Sequence, residues 1–172
     1  MVVTSLVAAL VACGGVSTQG VAPTTLSAPP IANLTQEAQL PSAATGGEAD
    51  VMGVSVSGNP GSYSFSVTVR SPDVGCDRYA DWWEVVSPEG QLIYRRVLLH
   101  SHVGEPPFTR SGGPINVQVD ETIIVRAHMN TTGYGGAALR GSVVDGFIET
   151  ELLPDFAEDI EQQKPLPQGC AF

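Results

Sequence analysis

The chain has 172 residues, 8 Lys and Arg against 18 Asp and Glu, and a formal charge of −10 at pH 7. That balance excludes nucleic-acid binding as the expected activity, because holding phosphate takes a basic face. With 19 Gly, 13 Pro and only 15% charged residues, the composition favours short strands and many turns over a helical bundle.

The first segment, Val2 to Ala12, is uncharged, and nine of its eleven residues are Val, Ala or Leu. Crossing a bilayer takes about 20 apolar residues, so the run is too short for that and has the length of the apolar part of an export signal. It ends in Leu10-Val11-Ala12-Cys13-Gly14, which resembles the lipobox of bacterial lipoproteins. The resemblance implies cleavage before Cys13 and acylation of that residue, palmitate included. It also implies an exported protein held by its lipid at the bacterial cell envelope, at the outer membrane or the cell surface. One departure stands out: the first cationic residue is Arg70, whereas such signals carry a positive leading segment. The start of the signal would then lie upstream, or the amino terminus alone would supply the charge.

The chain has three cysteines. If Cys13 is acylated, as the resemblance implies, Cys76 and Cys170 remain, and an oxidising compartment would let them pair. Closing a loop of that size would stabilise the fold by roughly 4–5 kcal/mol in the chain-entropy picture.

Residues 14–49 are rich in Gly, Ser, Thr, Ala, Pro and Gln, with two acidic and no basic residues. Their scattered Val, Leu and Ile show no periodicity, and such a composition cannot bury enough surface to offset the entropy of ordering. The expected organisation is therefore a signal peptide over 1–12, a lipidated N-terminus and flexible, disordered linker over 13–48, and a folded domain over 49–172. A chain of the linker's length reaches roughly 30–35 Å by random-coil scaling, enough to hold the domain clear of a membrane.

From Ala49 onward, alternation by two dominates. Met52, Val54 and Val56 alternate with small or polar residues, as do Tyr63, Phe65, Val67 and Val69. Between the two runs lies Gly58-Asn59-Pro60-Gly61, which is hairpin chemistry. Further strands are expected at Ala80–Val86, Gln91 to about His102, Ile115–Val119, Thr122–Met129 and Arg140–Glu151. About seven short strands between turn signals predict an all-β, antiparallel sandwich. At the level of pattern the layout is similar to immunoglobulin or fibronectin type III domains. Pro154–Gln163 predicts a short C-terminal helix with Phe156 and Ile160 on one face.

Three histidines form one candidate site. His100 and His102 are two apart and would share a side of their strand. His128 would share a side with Ile124 and Arg126 on a later one. If those strands are neighbours, three imidazoles converge, a set that suits Zn or Cu and leaves a coordination position open. Glu105 and Asp81 are candidate supporting carboxylates. Hydrogen-bonded or exposed histidines account for the same pattern. A second candidate is a recognition surface of Trp82, Trp83, Phe108 and Tyr134, which could stack on a glycan or an envelope protein. The adjacent tryptophans would face opposite sides of their strand, one toward the core. No nucleophile-elbow or phosphate-loop pattern is present. The sequence thus predicts a binding or structural module of the cell envelope, with a metal-binding or aromatic recognition site as alternatives.

Overall fold

The structure is a computed structural model and describes residues 47–171. The apolar run, Cys13 and nearly all of the linker lie outside the described residues.

Eight strands follow one another: β1 (Asp50–Asn59), β2 (Ser62–Arg70), β3 (Ala80–Val86), β4 (Leu92–Val97), β5 (Phe108–Ile115), β6 (Ile123–Met129), β7 (Ala138–Ser142) and β8 (Gly146–Thr150). They form two antiparallel sheets, ordered β1-β2-β5 and β4-β3-β6-β7-β8. The all-β antiparallel fold is as the alternation predicts. The strand count exceeds seven because Arg140–Glu151 is a hairpin, folded back at Asp145 and Gly146, where the Ser142 and Asp145 side chains bond each other at 2.7 Å.

The core lies between the sheets. Phe65, Val67 and Val69 of β2 meet Trp83 and Val85 of β3 and Ile123, Val125, Ala127 and Met129 of β6. Period-two alternation explains this directly, since every second side chain of a strand points to one face. β1 needs one correction. The register shifts between Val51 and Gly53, so Met52 is bulged outward. Val51 therefore faces the core opposite Val69, and Val54 and Val56 regain it opposite Val67 and Phe65.

β4 stops at Val97, five residues before the expected end. Val97 pairs with Trp82, which leaves β3 almost no length to pair with, and the last link is the Leu98 N–H donating to the Asp81 carbonyl. His100 and His102 therefore lie in a loop rather than on a strand. β5 also replaces the expected Ile115–Val119 strand. Its polar residues pair with the polar face of β2, through hydroxyl contacts Thr68–Thr109 and Ser66–Ser111, both 2.8 Å. Pro114 is tolerated because β5 is an edge strand. Gly112 is required by close approach: a Cβ there would fall 2.7 Å from the Tyr94 hydroxyl and 3.0 Å from the Trp83 ring.

The C-terminal segment forms a single 3-10 turn, Glu158–Gln162, with Ile160 buried. Cys76 and Cys170 are joined in a disulfide that spans 94 residues of sequence. Beside it the Ala171 N–H donates to the Leu99 carbonyl at 2.6 Å.

Candidate functional site

The outer face of the five-stranded sheet carries an ionic ladder. In the β3 register, Glu84 sits opposite Arg95 of β4 on one side and Arg126 of β6 on the other. Alternation puts all three on the face away from the core. Arg95 Nε and Arg126 Nε each donate to a separate Glu84 oxygen at 2.8 Å. All three side chains are almost fully buried, because the C-terminal segment lies across them. Arg95 donates to the carbonyls of Ile160, Glu161, Gln163 and Pro165, and Arg126 to those of Phe156 and Ala157. The segment's polar backbone thus takes the guanidinium donors that Glu84 leaves over, so the ladder's charges are satisfied from both sides.

Aromatic rings continue this layer. Arg95 lies over Trp82 at 4.3 Å, and Arg126 over Tyr134 at 3.5 Å. Both geometries suit cation–π attraction. His128 stacks on Trp82 with ring centroids 3.6 Å apart, and its Nδ1 lies 2.6 Å from Asp81 Oδ1. A register shift between Ala80 and Trp82 turns the Asp81 carboxylate to the same face as the imidazole, as a bulge does. Glu161 of the covering segment approaches His128 Nε2 at 3.6 Å. Burial, and then the nearby Glu84 charge, push the Tyr134 hydroxyl well above the usual tyrosine range.

A second cluster surrounds Asp73, at the end of the sandwich near the disulfide. Asp73 accepts hydrogen bonds from Ser71 Oγ (2.6 Å), the Ala80 N–H (3.0 Å), the His102 N–H (2.7 Å) and Ser101 Oγ (3.4 Å). These bonds gather two loops and the start of β3 around one carboxylate. His102 is buried, stacks on Phe108 at 3.7 Å, and neither of its ring nitrogens has a hydrogen-bond partner among the described residues. Its Nδ1 lies 3.7 Å from Asp73 Oδ2, beyond hydrogen-bond reach. Burial first, then the Arg110 and His100 charges, lower the His102 pKa, while Asp73 and Glu105 oppose the shift. The Tyr79 hydroxyl is raised by burial and by Asp81 and Asp73.

The two imidazoles of the loop are neighbours, His100 and His102 having ring centroids 4.7 Å apart. His128 is engaged elsewhere, with Trp82 and Asp81. Among the described residues, no group of three or more His, Cys, Asp or Glu side chains is placed to hold a metal ion. The three histidines expected to converge on Zn or Cu are thus divided between two clusters, because His100 and His102 leave the sheet before they reach the face that carries His128. The expected aromatic surface is corrected too. Trp82, Trp83 and Phe108 are buried and Tyr134 is half-buried. Trp83 packs in the core against Tyr94, Trp82 lies under Arg95 and His128, and Phe108 lies under His102.

Sequence reasoning missed the ladder. Glu84, Arg95 and Arg126 were readable only as charges on strands, although a Glu flanked by Trp82, Trp83, Val85 and Val86 is an unusual place for an exposed carboxylate.

The chain is 43% identical over 96 residues to a protein of Halomicrobium mukohataei bearing the name "Putative lipoprotein". The match covers 54% of this chain and 46% of that protein, so the chain spans about half the length of its relative. No protein-family model and no solved structure matches the chain. The likeness to immunoglobulin and fibronectin type III domains accordingly stays at the level of two packed antiparallel sheets.

Proposed function

We propose that the protein is an exported lipoprotein, anchored to the cell envelope through lipid on Cys13, and that its β-sandwich acts as a binding or structural module outside the cytoplasm. The observation that carries this reading is the Cys76–Cys170 disulfide. It accounts for two of the three cysteines and suits an oxidising compartment. The third is Cys13, the residue that the lipobox resemblance singles out for acylation. The name of the similar protein supports the same reading. Among the described residues, no helix is long and apolar enough to cross a membrane.

The test is mass spectrometry of the mature protein recovered from membranes. The expected N-terminal residue is Cys13 carrying acyl chains, and Cys13→Ala should release the protein into the soluble fraction. A mature chain that begins at any other residue, or an unmodified Cys13, overturns the proposal.

A further inference from the structure

Two sheets expose four edges, here β1, β5, β4 and β8. On one side β4 and β5 close against each other: the Gly113 N–H donates to the Tyr94 hydroxyl at 2.9 Å, and Arg96 Nε to the Ser111 carbonyl at 3.1 Å. On the other side β1 is drawn onto the start of β7, where the Val51 N–H donates to the Ala137 carbonyl at 2.8 Å and the Ala137 N–H to Asp50 Oδ1 at 2.9 Å. β8 lies one strand farther out and, among the described residues, pairs only with β7. Beside the C-terminal end of β8 opens a cleft of about 520 Å³, lined by Asp50 and Met52 of β1, Arg70 of β2, Arg126 of β6, the stretch before β7, and Glu149, Thr150 and Glu151.

The charge of this cleft follows from which groups are already paired. Arg70 is held by Asp50 at 2.8 Å, and Arg126 by Glu84 at 2.8 Å. Glu149 and Glu151 are exposed and enter no ion pair among the described residues. Phe147 packs inward on Phe65, so alternation turns Glu149 to that same side and Ile148 to the outer face, while Glu151, just past the end of β8, also lines the cleft. Ile148 is 75% exposed and Met52 is 49% exposed. An unpaired strand edge is a template for a further strand, whose main chain would supply the hydrogen bonds.

From this we infer that the cleft receives an extended segment of a partner protein, added antiparallel to the β8 edge. Its Lys or Arg side chains at alternate positions face Glu149 and Glu151, and its apolar side chains lie beside Ile148. A second copy of this chain fits poorly, since pairing β8 with β8 would set the same carboxylates against each other between molecules of charge −10. The inference rests on reading the domain as a binding module. It does not depend on the lipid, which the mass of the mature N-terminus tests separately.

The experiment titrates the full-length chain with a labelled peptide of alternating lysine and valine, read by fluorescence anisotropy. Wild type should bind at low salt, and the Glu149→Gln/Glu151→Gln double variant should weaken binding by about tenfold or more. A peptide of the same sequence, N-methylated at alternate amides, should bind more weakly still, because it keeps its charges and loses its main-chain donors. Hydrogen exchange should slow at residues 146–150 when the unmethylated peptide is present. Equal binding by the methylated peptide, an unchanged affinity in the double variant, or sedimentation showing that β8 is occupied by a second copy would each overturn the inference.

Discussion

At the residue scale, two buried groups dominate the electrostatics, and their effects have opposite origins. Glu84 is fully buried and keeps both oxygens occupied by guanidinium groups. Such an ion pair adds little over an apolar replacement, because desolvation offsets most of the attraction, yet removing one partner strands the others. Glu84→Ala leaves two buried cations without a counter-charge, and the expected loss is about 3–5 kcal/mol. Urea denaturation should show it, while replacing Glu84, Arg95 and Arg126 together by apolar residues of similar volume should recover most of the loss. A single substitution as mild as an exposed surface change would show that the ladder is not the buried network described. His102 works the other way. Its folded-state pKa lies below the unfolded value because burial disfavours the imidazolium. The folded state therefore binds fewer protons near that range, and stability is full above the unfolded pKa of about 6.5 and falls as pH drops through the lower, folded value. Melting temperatures measured from neutral toward mildly acidic pH should decline in wild type. The decline should be smaller in His102→Phe, which keeps a flat ring against Phe108 and cannot take up a proton. Parallel profiles would exclude His102 as the source.

At the element scale, legibility followed the hydrophobic period. β2, β3 and β6 could be read because one face of each is a continuous apolar row, from Tyr63 to Val69, at Trp83 and Val85, and from Ile123 to Met129. β5 could not, because Thr109 and Ser111 meet Thr68 and Ser66 on the outer face of β2, and Arg110 stands opposite the core residue Val67 where an apolar side chain would have marked the period. No apolar alternation marks a strand whose neighbours there are hydroxyl groups. The bulges at Met52 and Asp81 were hidden for a related reason: each inserts one residue and shifts the parity, and only the paired strand reveals the shift. The same limit explains the histidines. His-x-His predicts a shared side only while the chain stays extended, and here the pairing partner runs out after Val97. The loop is then fixed by Asp73, which captures the His102 N–H. The disulfide pairing, by contrast, was accessible from the cysteine count once Cys13 was assigned to acylation. The division of Trp82 and Trp83 between opposite faces was legible too, but the cover over Trp82 was not. That cover is tertiary: Arg95 and His128 lie on Trp82, and carbonyls of the C-terminal segment hold Arg95 in turn.

At the scale of the whole molecule, the C-terminal segment and the disulfide form one device. Residues 156–165 bring carbonyls to Arg95 and Arg126, but a segment with one 3-10 turn and a single fully buried side chain, Ile160, has little apolar burial of its own to hold it in place. Carbonyl contacts to a guanidinium exchange with water at a small net gain each. What confines the segment is its far end, where Cys170 is bonded to Cys76 and Ala171 to Leu99. The bridge also closes a loop of 94 residues that holds β3 to β8 and leaves β1 and β2 outside, so its loss enlarges the unfolded ensemble of most of the domain. On loop entropy alone, Cys76→Ser/Cys170→Ser should cost about 4–5 kcal/mol, read as a lower urea midpoint, with a steeper slope because the opened denatured chain exposes more surface. Hydrogen exchange would locate the first effect: protection in the C-terminal segment and at the Arg95 and Arg126 side chains should fall before the core of β2, β3 and β6 is touched. A variant whose segment exchanges as slowly as wild type would show that the ladder alone holds the cover in place, and that the bridge acts only on the unfolded chain.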